Sequence, residues 1–101
     1  MSPQQLIQMT EEIHRLAADL PIELAERLSA ALCEASTDDW QRLRTQVLDV
    51  VRPAAVRQRV SVFMKSWQRE APNVSPQSVA VGLLTAARTE AFRRQGQRVE
   101  L

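Results

Sequence analysis

Few side chains in this 101-residue chain have the chemistry for catalysis or metal binding. There is one histidine, His14, and one cysteine, Cys33. A zinc site draws on three or four Cys and His ligands, so these two cannot build one, and a single cysteine excludes a disulfide framework. His14 stands between Ile13 and Arg15, where a surface histidine is expected. Cys33 follows Leu32 on an apolar stripe, where a small buried thiol is expected. Its nearest charge is Glu34, the wrong sign to activate a thiolate. Acidic pairs occur at Glu11–Glu12, Glu23/Glu26 and Asp38–Asp39. General acid–base work needs two carboxyls in different environments across a substrate. Neighbouring acids near helix starts are better explained by capping and the helix dipole. Only Gly82 and Gly96 are glycines, which excludes a glycine-rich phosphate loop. The expectation is a chain without catalytic, cofactor-binding or metal-ligating residues, and not an enzyme.

The charges are more informative. Net charge is +1, but residues 1–50 hold four basic residues against nine acidic ones and residues 51–101 hold nine against three. Such asymmetry reads either as helices that attract one another or as a dipolar surface for a charged partner. All basic residues but Lys65 are arginines, a type suited to phosphate and carboxylate forks. Arg88, Arg93, Arg94 and Arg98, late in the chain, are the candidate contacts to nucleic acid or a partner. Val60 to Phe92 can be drawn as a helix-turn-helix with the helix after Ser75-Pro76 as reader. Its first turns, Gln77-Ser78-Val79-Ala80-Val81-Gly82-Leu83, offer little to base edges, whereas its basic end suits non-specific phosphate contact. Trp40 and Trp67 sit at apolar stripe positions, where core packing is favoured over base stacking.

Five helices must position these residues. Ser2, Pro3 and Gln5 form a cap-and-proline start, followed by Leu6, Met9, Ile13, Leu16 and Leu20 at helical spacing. Leu20-Pro21 interrupts the pattern, and Leu24, Ala25, Leu28, Leu32 and Ala35 form the second stripe. Ser36-Thr37-Asp38-Asp39 is a stop and a new start. Trp40, Leu43, Val47, Val50 and Val51 mark a third helix up to Pro53, and Val56, Val60, Phe63, Met64 and Trp67 a fourth. After Ala71-Pro72-Asn73, Ser75-Pro76 starts a final helix over about 76–95. Its apolar residues cover more than half the circumference, which predicts a central helix. Gly82 and Ala86 would permit close helix approach, and Gly96 is the expected C-terminal cap. The fold class is all-α, a compact bundle of five helices over residues 1–96. Residues 97–101 form a tail or linker in which Val99-Glu100-Leu101 alternates like the start of a strand.

The stretch Ser75-Pro76-Gln77-Ser78-Val79-Ala80-Val81-Gly82-Leu83-Leu84-Thr85-Ala86-Ala87, running on to Val99-Glu100-Leu101, resembles the N-terminal helical region of bacterial phospholipase D-like proteins of the DISARM phage-defence type. There a Ser-Pro helix rich in Ala and Leu leads into a strand, beginning Val-Glu-Leu, that opens the catalytic domain. The Leu20-Pro21 turn with Leu24, Ala25 and Leu28, and the Trp67 helix, are similar as well; the resemblance spans residues 15–101. The family's chemistry uses paired His-x-Lys-x4-Asp motifs, one His attacking phosphorus and the other protonating the leaving oxygen. Here His14 is followed by Arg15 and Leu16, and the sole lysine is Lys65, so no catalytic role carries over. The resemblance implies a non-catalytic accessory domain, with the phosphodiesterase or nuclease chemistry outside this chain. Its partner would be that catalytic domain or another defence-complex protein. The rival reading is a free-standing helical DNA-binding protein that uses the basic C-terminal half. The first residues lack the basic and long apolar regions of a secretory signal. No stretch approaches the roughly 18 apolar residues of a membrane span. A lone cysteine fits a reducing compartment, so a cytoplasmic protein with no membrane partner is expected.

Overall fold

Prolines and capping side chains divide the described residues into five helices: α1 (Pro3–Ala18), α2 (Ile22–Cys33), α3 (Trp40–Asp49), α4 (Ala54–Glu70) and α5 (Pro76–Val99). The computed structural model describes residues 3–99, with side chains described through Gln95. No strand occurs among the described residues, and the all-α bundle read from the spacing is the fold. Pro21 and Pro53 each occupy the position just before a helix, where the missing N–H costs nothing. Asp39 caps α3, its Oδ1 accepting from the backbone N–H groups of Gln41 and Arg42, both at 3.1 Å. Ser75 caps α5 by accepting from the Ser78 N–H at 3.1 Å. Ser2, the expected cap of α1, lies outside the described residues.

The helices pack in a closed ring, with principal neighbours in the order α1, α4, α3, α2, α5 and back to α1. Paired residues give their directions. Glu12 meets Ser66 and Asp19 meets Arg59, so α1 and α4 are antiparallel. Ser29 meets Ala80 and Cys33 meets Gln77, so α2 and α5 are antiparallel too. Ile13 lies at Gly82 and the Ala18 carbonyl at Arg94, so α1 and α5 run parallel. Buried stripes from all five helices fill the ring's interior, and Trp67, Leu28, Leu43, Met64 and Leu83 are its largest fully buried members.

The ring corrects several expectations. Helix α5 is not central, since α1 and α2 are its principal neighbours and its far side faces outward with Val81 65% and Phe92 77% exposed. The first stripe begins late: Leu6 is 54% exposed, while Met9, Ile13, Leu16 and Leu20 are buried. Gly96 does not end α5. Arg and Gln on either side are good helix formers, and one glycine costs only about 1 kcal/mol in a helix interior. The boundary expected after Gly96 therefore falls within a helix. Val99, expected to open a strand, is helical, while Glu100 and Leu101 lie outside the described residues. Among the described residues, no helix is long and apolar enough to cross a membrane.

Candidate interaction site

Helix C-termini leave carbonyls without intrahelical partners, and here side chains from later helices satisfy them. Arg94 Nη2 donates to the Ala18 carbonyl at 2.7 Å, at the end of α1. Gln77 Nε2 donates to Cys33 O at 3.0 Å and Ala35 O at 3.2 Å, at the end of α2. Arg57 Nη1 donates to Leu48 O at 2.8 Å and Val51 O at 3.1 Å, at the end of α3. Cations at these ends also meet the negative pole of the helix dipole. Two of the chain's arginines, Arg57 and Arg94, thus work as parts of the scaffold.

That bears on the four arginines singled out from the sequence. Arg94 is held by α1, and Arg93 lies 3.6 Å from Glu90 one turn earlier. Arg88 is exposed and has no partner among the described residues. Arg98 lies beyond the described side chains. At about 100° per residue these positions radiate around α5 instead of forming a stripe. The other basic helix, α4, is separated from α5 in the ring by α1. Helix α1 brings Glu12 and Asp19 to that boundary, and Asp19 pairs with Arg59. One pair of opposite charges from the chain's two halves, Asp19 and Arg59, therefore meets at a helix seam. Helices α4 and α5 share a corner, where Trp67 Nε1 donates to Val74 O at 3.0 Å. They are not principal neighbours, whereas the two helices of a helix-turn-helix pack together.

The remaining candidates are placed as follows. His14 is exposed. Cys33 is also exposed, contrary to expectation: the buried face of α2 is Ala25, Leu28, Ser29 and Leu32, and Cys33, the last residue of the helix, lies about 40° beyond its Ser29 edge. Trp67 is fully buried, and half-buried Trp40 meets it edge to face at 5.0 Å, as core packing predicts. Of the acidic pairs, Asp38–Asp39 supplies the α3 cap through Asp39. Among the described residues, no three His, Cys, Asp or Glu side chains gather as metal ligands.

Two surfaces stand out. One is the distal outer face of α5. At 24 residues this helix is about 36 Å long, whereas the 12-residue α2 spans about 18 Å. The last turns of α5 therefore outrun α2, and Phe92 stands 77% exposed on the same face as Arg88, one turn away. The other is a groove of about 530 Å³ between α1 and α4. Buried Leu16 and Phe63, with Ala55, form its apolar lining. Ser66 Oγ donates to the Glu12 carboxylate at one end, 2.7 and 2.6 Å from its two oxygens. The Asp19–Arg59 pair closes the other end. Sequence reading assigned Glu11–Glu12 to helix-start electrostatics and missed this groove. Its signal was present, in an acid on α1 and a serine on the apolar side of α4, but only the antiparallel register brings them together. Comparison with protein-family models, curated proteins and solved structures yields no match for this chain.

Proposed function

We propose that this chain is a non-catalytic helical docking domain acting beside a phospholipase D-like catalytic domain of the phage-defence kind, in the bacterial cytoplasm. Two things support the reading. The Ser75–Ala87 stretch and the Leu20-Pro21 turn resemble the helical region that precedes such a domain. The outward face of the helix that carries the resemblance presents Phe92, the most exposed large apolar side chain among the described residues, beside the unpaired Arg88. Phenylalanine and arginine are both enriched at protein interfaces relative to the rest of the surface, and this exposed juxtaposition carries the proposal. The α5 face would bind the catalytic domain, and the phosphodiester chemistry would belong to that domain.

The test begins with the coding sequence downstream of residue 101 or in the adjacent gene, which should encode two His-x-Lys-x4-Asp motifs. The domain bearing them, produced separately, should bind this chain in a calorimetric titration. Phe92→Glu should weaken that binding at least about tenfold while leaving the thermal midpoint of the isolated chain unchanged. Absence of the motifs, or binding indifferent to Phe92→Glu and Arg88→Glu, would refute the proposal.

A further inference from the structure

The α1/α4 groove combines a hollow and a knob on one surface. Val62 stands 61% exposed on the α4 wall, midway along the groove, above the apolar lining. The walls also differ in charge. Glu12, Arg15 and Asp19 line the groove from the α1 side and Arg59 from the α4 side. By helical position, Glu11 on α1 and Lys65 and Arg69 on α4 stand on the outward sides of their helices, opposite the buried stripes, and α4 has no acid before Glu70. Internal contacts occupy Glu12, Asp19, Arg59 and Arg69. Glu11 and Lys65 are both exposed and have no partner among the described residues.

We propose that this face is a self-association surface and that its occupant is a second copy of this chain, related by a twofold axis running along the groove. The register supplies the argument. Because Glu12 is level with Ser66 and Asp19 with Arg59, Glu11 and Lys65 stand on opposite walls two residues out of register, about 3 Å apart in height, within reach of their long side chains. Rotation about an axis parallel to the groove preserves height and exchanges the walls, so α1 of one copy lies on α4 of the other. Glu11 of each copy then meets Lys65 of its mate, and each Val62 enters the opposite hollow. All four helix pairs in the resulting layer are antiparallel, with dipoles opposed. An axis perpendicular to the groove would instead set α1 on α1 and α4 on α4, acid against acid and base against base, which is the costly arrangement. Isologous contacts require a self-complementary patch, and one acidic wall beside one basic wall satisfies that requirement along a single axis. The face is two helices wide and about three turns, or ~16 Å, long. That is smaller than a standard stable interface, so only a weak, concentration-dependent dimer follows.

Sedimentation equilibrium over about 1 µM to about 1 mM should show monomer passing to dimer, with a dissociation constant on the order of 100 µM. Lys65→Glu or Glu11→Lys alone should weaken the dimer at least about tenfold. The double variant carrying both changes should restore it, because the exchanged charges again meet. That rescue separates a pairing across the interface from a general effect on folding. Val62→Glu should abolish the dimer. A monomer at every concentration would overturn the proposal, as would a dimer that ignores all these variants or a double variant that is no better than the singles. Phe92→Glu, on the other face, should leave the dimer unchanged. Loss of the dimer in that variant would also overturn the proposal.

Discussion

Trp67 shows what a single side chain contributes to this fold. It is fully buried, meets Trp40 edge to face at 5.0 Å and donates its indole N–H to Val74 O at 3.0 Å. One residue thereby joins α3, α4 and the turn leading to α5. Its place in an apolar stripe was legible in the sequence, but its polar partner was not, because Val74 comes close only through the turn after α4. Leu83 and Leu84 make the same point with adjacent residues. Both belong to the apolar set of α5, yet Leu83 is fully buried and Leu84 half-buried, since consecutive helical residues point about 100° apart. Leu83→Ala is expected to cost about 2–5 kcal/mol, as buried leucine truncations do. Leu84→Ala should cost about half as much, and Arg93→Ala, at an exposed 3.6 Å ion pair, should stay within about 0.5 kcal/mol. Urea unfolding midpoints at unchanged slope would measure all three. Equal losses at the two leucines would contradict the orientation of α5.

At the scale of the helices, starts were easier to read than ends. Asp39, Pro53 and Ser75-Pro76 act on their own neighbours, through side-chain caps or fixed backbone angles, so local sequence suffices to place them. Helix ends depend on distant donors: Arg57, Gln77 and Arg94 come from 6 to 76 residues away in the chain. Gly96 shows the converse error, since a glycine that could cap a helix lies within one. Gly82 belongs to this scale as well. A Cβ added there would lie 3.6 Å from Ile13 Cδ1 and 3.7 Å from its Cγ2, ordinary contact distances. The seam between α1 and α5 therefore has room for one more methyl. Gly82→Ala is expected to stabilise the fold by up to about 1 kcal/mol, through helix propensity and a less flexible unfolded chain. A raised thermal midpoint would show it. A lowered one would mean that α1 and α5 pack closer than the Ile13 distances indicate.

For the whole molecule, the order of helices around the ring decides what the charges can do. Helix α1 lies between the basic helices α4 and α5, and some of their cations face α1 or cap α3. Among the described residues, a duplex would then find no continuous basic stripe. Titration of a labelled duplex at two salt concentrations should give a slope of log affinity against log salt no steeper than about −3, the effect of about three phosphate contacts. A slope near −6 would show that the arginines converge in a way the ring does not provide. The sequence by itself determined the class of fold, the number of helices and most of their starts, because apolar periodicity, prolines and capping residues act within a few positions of themselves. Only the tertiary structure decided which helices are neighbours, that α5 lies in the ring instead of at its centre, that Cys33 and Phe92 face outward, and that Glu12 and Ser66 close a groove. Each of these depends on contacts between residues far apart in the chain, and helical periodicity shows which face is apolar without showing which helix will cover it.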